Sequence, residues 1–247
     1  MYDADHAAAR PLAMRQLPLP IGSGAEPSFE NFVAGRNAAA LAHLAALRAP
    51  AAPVYLWGPA ASGKTHLLRA LARRLAAAGQ QALWFDGRPD APDLLPAGCA
   101  LLAVDRCEAL DASAQRSVFA LFEQASAEGV AFAAAGRLPP VDLPLREDLR
   151  TRLAWGHVFA LEPLGEAETR AALRREADRR GIFLSDDVMG HLLTRFPRDL
   201  AHLMALLDRL DEFALAKARP VTVPLLRLML TEEGSVPAAQ RRGDAAP

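Results

Sequence analysis

The segment Gly58-Pro59-Ala60-Ala61-Ser62-Gly63-Lys64-Thr65 encloses four residues between two glycines and then places a lysine and a threonine in succession. This is the P-loop pattern, and its chemistry suits an oligophosphate. The glycines let the backbone wrap phosphates, and the amides and the start of the following helix stabilise negative charge. Lys64 would neutralise the β and γ phosphates of ADP or ATP, and Thr65 would offer its hydroxyl to magnesium. A second contribution comes from Leu101-Leu102-Ala103-Val104-Asp105, an apolar run ending in a carboxylate that would help hold the magnesium shell. The next position, where many ATPases carry a glutamate to polarise water, is Arg106, and the nearest acid is Glu108. A cation cannot be a general base, so slow unaided hydrolysis is expected.

The elements around these residues follow from periodicity. Val54 to Trp57 is a short apolar run into the loop, and Leu67, Leu68, Leu71 and Leu75 recur at helical spacing from Thr65 until Gly79. A strand–loop–helix results, the context the P-loop requires. Leu41, Leu44 and Leu47 predict an earlier helix over 37–47. Short apolar runs at 82–85, 101–104, 130–135 and 157–161, with a helix over 112–128 between the second and third, predict strands alternating with helices and hence a parallel sheet covered on both faces. After Pro163, residues 166–180, 185–195, 198–217 and 222–230 all read as amphipathic helices, with Ser185 and Thr222 as N-caps and Gly181 as a stop. The expected organisation is a tail over 1–28, an α/β nucleotide-binding domain over 29–163, an all-helical domain over 164–232 and a second tail over 233–247.

Composition narrows the class. The chain has 247 residues, 51% hydrophobic and 23% charged, enough to bury a sizeable core. Its formal net charge of -1 gives no electrostatic footprint for nucleic acid. No apolar run approaches bilayer length and no basic segment followed by an apolar stretch opens the chain, so a cytoplasmic protein without a membrane partner is expected. Cys99 and Cys107 have no companions at metal-binding spacing and read as buried thiols. The six histidines, His6, His43, His66, His157, His191 and His202, read as structural or surface residues.

Four stretches carry a family resemblance. They are Phe29 to Asn37, Tyr55 to Leu68, Leu149 to Gly156 and Phe196 to Leu200. In these the sequence resembles the DnaA-type AAA+ family, and within it the regulatory inactivators of the Hda branch. The resemblance implies a P-loop AAA+ parallel-sheet sandwich with a C-terminal all-helical lid. It implies an adenine pocket at 29–37, nucleotide contacts from the whole loop 58–65 together with His66, and Arg198 as the basic residue by which the lid reads nucleotide. Arg152 is implied as an arginine finger presented to a neighbouring subunit's γ-phosphate, where such a residue raises turnover by about 10³ to 10⁵. Gly136-Arg137-Leu138-Pro139-Pro140 corresponds to the sensor-1 strand end, without the small polar residue expected there.

Two further features bear on function. Only 17 residues follow Leu230, too few for the helix-turn-helix domain of an initiator, so sequence-specific DNA binding is not expected. Gln16-Leu17-Pro18-Leu19-Pro20 looks like the sliding-clamp-binding peptide of the inactivators, with Gln16 at a pocket rim, Leu17 and Leu19 in an apolar groove and the prolines limiting the entropy lost on docking. The expected role is a negative regulator of replication initiation that binds nucleotide and the DNA-loaded clamp (the β subunit of DNA polymerase III) and stimulates hydrolysis of DnaA-bound ATP. A homodimer is left open. The alternatives are a self-sufficient ATPase that remodels a replication protein and a truncated initiator that binds single-stranded DNA.

Overall fold

The protein is described by a computed structural model over residues 26–86, 94–197 and 199–234. A 3-10 turn at Gly35–Asn37 leads into α1 (Ala38–Ala46), followed by β1 (Val54–Trp57), α2 (Lys64–Ala77), β2 (Gln81–Phe85), β3 (Cys99–Val104), α3 (Ala112–Glu128), β4 (Ala131–Gly136), α4 (Glu147–Ala154) and β5 (His157–Ala160). The five strands form one sheet in the order β2-β3-β4-β1-β5, every pair parallel. Helices α5 (Glu166–Arg180), α6 (Asp186–Arg195), α7 (Leu200–Lys217) and α8 (Val223–Gly234) follow. The fold is thus the expected α/β sheet with a C-terminal helical lid.

Alternation along β1 shows how the layers form. Tyr55 joins Phe122, Leu149 and Leu153 on one face, while Val54 and Leu56 join Leu44, Leu67 and Leu71 on the other. Every residue of β4 is buried, as a central parallel strand requires. The lid has its own core, in which Leu192, Leu203, Leu207 and Leu226 pack together.

The helix ends are specified locally. Asp111 accepts from the amides of Ser113 and Ala114 at the start of α3, and Gly129 closes that helix in the left-handed region. Ser185 and Asp199 cap α6 and α7 in the same manner, and the amide of Leu225 donates to Thr222 Oγ1 at 3.4 Å. Gly181 ends α5 at φ 72°. Helix α4 is an addition to the sequence reading: Leu149 and Leu153, one turn apart, bury its inner face within a run otherwise rich in charge. The C-terminal ends of β1, β3 and β4 lie side by side, and Gly136 is in register with Trp57 at the entry to the loop 58–65.

Candidate functional site

The loop between β1 and α2 is shaped by two glycines with no room for a side chain. Gly58 has φ +148°, and a Cβ there would lie 2.2 Å from the Leu161 carbonyl oxygen. Gly63 has φ +93°, and a Cβ would meet Phe32 at 2.6 Å. Lys64 folds back across the loop, its Nζ donating to the carbonyls of Gly58 at 2.8 Å and Pro59 at 2.6 Å and to Ser62 Oγ at 3.2 Å. Burial pushes the lysine's pKa down, the carboxylates of Glu108 and Asp105 pull it up, and Arg137 lowers it further. Lys64, Asp105, Glu108 and Arg137 therefore form one electrostatic cluster.

Thr65 Oγ1 donates to Asp105 Oδ2 at 2.7 Å, joining the loop to the end of β3. Asp105 is buried, and its other oxygen accepts from the amide of Arg106 at 2.9 Å. These two adjacent oxygens fit a magnesium ion, which keeps several waters and is held by one or two protein oxygens together with a substrate's phosphates. The loop, the paired Thr65 and Asp105, and the lysine can thus receive a magnesium-bound oligophosphate.

A cleft of ≈ 650 Å³ opens beside the loop, and Ala60 to His66 and Asp105 line it. Gly58 and Pro59 contribute through the carbonyls that hold Lys64. The segment ahead of α1 forms one wall with Phe32, Val33 and Asn37. His66 secures that wall: its Nε2 is 2.9 Å from the Ser28 carbonyl, and its ring lies 5.3 Å from that of Phe32. Burial pushes the His66 pKa down, and a neutral ring that donates through Nε2 suffices for the contact.

Asn37 joins this wall to the connection between sheet and lid. Its amide donates to the Glu162 carbonyl at 2.8 Å, and its carbonyl accepts from the Glu162 amide at 2.9 Å, so the side chain behaves as one more strand residue. Arg36 forms an exposed pair with the Glu162 carboxylate at 2.9 Å.

The charged residues around the mouth of the cleft are paired. Arg106, at φ 54°, turns towards β2 and contacts Asp86 Oδ2 at 3.3 Å. Glu108 contacts Arg137 Nε at 3.4 Å and accepts from the Arg137 amide at 3.1 Å. The segment after β4 is further fixed by Tyr55, whose buried hydroxyl donates to the Leu138 carbonyl at 2.7 Å. The segment 136–140 is thus held by Glu108 and Tyr55 beside the cleft.

On the lid side, Glu176, Arg180 and Asp208 line the same cleft. Arg180 contacts Glu176 at 2.6 Å and also pairs with Asp208. Glu176 takes in addition a hydrogen bond from Arg179 that, with Arg180, holds its carboxyl down at about 2. Sequence reasoning missed this triad. The spacing of Glu176 and Arg180 was a legible hint, but Asp208 comes from another helix.

Arg152 lies apart from the cleft, on α4. Its guanidinium contacts Glu123 at 2.9 Å and sits 5.8 Å from the Phe122 ring and 5.1 Å from that of the exposed Trp155. Gln16, Leu17, Pro18, Leu19, Pro20 and Arg198 lie outside the described residues. Cys99 and Cys107 are buried free thiols, as expected, and burial pushes the Cys107 thiol up. Among the described residues, no helix is long and apolar enough to cross a membrane.

Comparison with known proteins places this geometry. Residues 25–83 match the bacterial DnaA ATPase domain, and residues 166–230 match the lid domain of Hda. Domain III of the DnaA replication initiation protein of Thermotoga maritima superposes with a TM-score of 0.68 at 19% identity, covering 85% of this chain and 97% of that one. AMPPCP-bound DnaA from Aquifex aeolicus gives 0.63 at 19% identity over 76% of this chain and 66% of its own. The RuvB Holliday junction branch migration motor of Thermotoga maritima gives 0.53 at 18% identity, over 72% and 61%. A five-stranded parallel sheet with a P-loop and a helical lid defines an AAA+ module, and the two segment matches put the chain in the DnaA-type AAA+ family. Within that family it stands close to Hda.

Proposed function

We propose that the protein is a nucleotide-binding negative regulator of replication initiation that stimulates hydrolysis of ATP held by DnaA. The observation that carries this reading is the match of residues 166–230 to the Hda lid, on a chain whose amino-terminal part matches the DnaA ATPase domain. The reading divides the chain into a tail over 1–28, the nucleotide-binding domain over 29–163, the lid over 164–232 and a tail over 233–247, and places it in the cytoplasm.

ADP or ATP occupies the cleft beside Gly58 to His66, as the fit of the loop, Lys64, Thr65 and Asp105 to a magnesium-bound oligophosphate supports. The Aquifex aeolicus relative was solved with AMPPCP. Bound magnesium supplies charge neutralisation for the phosphates. Arg198 reads the nucleotide from the lid. Own turnover is slow, because the position after Asp105 is an arginine engaged by Asp86, and Glu108 is engaged by Arg137.

The regulatory act is directed outward. Gln16 to Pro20 dock on the DNA-loaded sliding clamp, which concentrates the protein near DnaA. Arg152 then leaves Glu123 and meets the γ-phosphate of DnaA-bound ATP, stabilising the charge that develops as the phosphoryl group passes to water. Hydrolysis of DnaA-bound ATP, measured with clamp-loaded DNA, is expected to accelerate with the wild-type protein and to stay at its unassisted rate with Arg152→Ala. Failure of the wild type to accelerate it, with clamp and nucleotide binding verified, overturns the reading.

A further inference from the structure

Residues 26–34, which border the nucleotide cleft, form neither helix nor strand, yet they are tied into a unit. Asn31 does the tying. Its Oδ1 accepts from the Ser28 amide at 2.9 Å, its own amide donates to Ser28 Oγ at 3.3 Å, and its Nδ2 donates to the Glu26 carbonyl at 2.9 Å. Reciprocal side-chain bonds of this kind fix a turn without help from a helix or a sheet. The segment then passes into α1 through Gly35, whose φ of +48° favours glycine.

Helix α2 holds this turn at three points. On its first turn, His66 Nε2 meets the Ser28 carbonyl at 2.9 Å in a partly buried bond. Two turns further on, Arg73 Nη1 donates to the Glu26 carbonyl at 3.0 Å, and its Nε lies 3.4 Å from the Glu26 carboxylate. Arg74 lies 5.6 Å from the Phe29 ring. The Arg73 contacts are exposed and contribute little, so the shielded His66 bond carries most of the polar attachment. The turn also reaches the phosphate site. Phe32 packs against Gly63, and Pro27, Asn31, Phe32 and Val33 line the cleft together with Leu200 and Met204 of the lid.

We propose that residues 26–33 are a strap that parts from α2 to admit and release nucleotide, pivoting at Gly35, and that His66 is the latch that sets how often it parts. This rests on the nucleotide-binding part of the reading above. His66 acts through Ser28, so it is a positioning residue and not a contact of phosphate or base. A segment held by a few side-chain bonds belongs to the low-stability end of a structure, where local opening precedes global unfolding. The latch joins protein atoms to protein atoms, so it stabilises the closed strap equally with and without nucleotide beneath it. Its loss therefore speeds entry and exit alike and leaves affinity nearly unchanged, as for a gate. A residue that touched the nucleotide would instead change affinity, chiefly through the dissociation rate.

The test uses the full chain and stopped-flow fluorescence with a ribose-labelled ADP analogue, comparing wild type, His66→Phe and His66→Gln. His66→Phe keeps a ring beside Phe32 and removes the donor, whereas His66→Gln keeps a donor that can reach the Ser28 carbonyl. In His66→Phe both rate constants are expected to rise by about fivefold to tenfold, the equivalent of one partly buried hydrogen bond, with Kd within about threefold of wild type. Amide exchange across 26–33 in nucleotide-free protein is expected to quicken with them. His66→Gln is expected to return both rates to within about threefold of wild type. Unchanged rates, or a rise in dissociation alone with unchanged exchange across 26–33, overturn the strap and leave nucleotide binding standing. Equal acceleration in both variants overturns the hydrogen bond as the latch. A wild type that does not bind the analogue overturns the nucleotide reading and the strap with it.

Discussion

Asn37→Leu probes the connection between sheet and lid. The substitution keeps the number and branching of side-chain heavy atoms at a buried position while removing its two hydrogen bonds to Glu162, at 2.8 and 2.9 Å. No cavity opens, so the loss is that of the two bonds and of a backbone amide and carbonyl left partly shielded from water. Each such bond contributes about 1 kcal/mol net, and stranding its partners adds to that, which gives about 2–3 kcal/mol. For a chain of this size that corresponds to a fall of roughly 4–12 °C in melting temperature. Thermal unfolding followed by circular dichroism reads it directly. Because Asn37 also lines the cleft, ADP affinity should weaken with it, by about tenfold if half of that energy orders the cleft. A variant that melts within about 1 °C of wild type would show that the Asn37 bridge adds nothing to solvation by water, and the strand-like role given to it would be wrong.

Two other perturbations follow from the same geometry. Gly58→Ala forces a Cβ to within 2.2 Å of the Leu161 carbonyl at a positive φ, so the loop must move; titration with a fluorescent ADP analogue should show affinity reduced by at least about tenfold, since misplaced amides lose charge-assisted bonds to phosphate. Glu176 has its carboxyl lowered from 4.5 to about 2 by Arg179 and Arg180, so its stabilising contribution is present above pH 4.5 and lost as pH falls towards 2. Glu176→Gln should be less stable than wild type at pH 7, with the difference closing between pH 4.5 and 2 in urea unfolding; a difference that does not change with pH would remove the charge pairing as its cause.

The elements that position the site were legible where local signals agree. Apolar periodicity agrees with Asp111 and Gly129 at the two ends of α3, with Gly181 at the end of α5 and with Ser185 at the start of α6, and the structural bounds of these helices lie within one residue of the reading. Helix α4 was not legible as a helix, because only Leu149 and Leu153 of its eight residues are buried and the rest of the segment carries charge. The sheet order was not legible either: β1 lies between β4 and β5, and nothing in a strand's own residues encodes which non-consecutive strand will pair with it.

The phosphate loop could be read because its chemistry is contained in eight consecutive residues. The state of the arginines could not, since each finds its partner at long range: Arg106 at Asp86, Arg137 at Glu108, Arg152 at Glu123 and Arg180 at Asp208. Those pairings set what an incoming anion must displace. The Glu123 carboxylate paired with Arg152 is half exposed, so that pair is screened by water and weakly held. Arg180 differs, because it and both of its carboxylates are largely shielded, and breaking such a group leaves an uncompensated charge. The same residue type therefore stands in two settings in this molecule: the Arg152–Glu123 pair on α4 is partly exposed and weakly held, whereas the shielded triad of α5 and α7 holds the lid wall of the cleft in place.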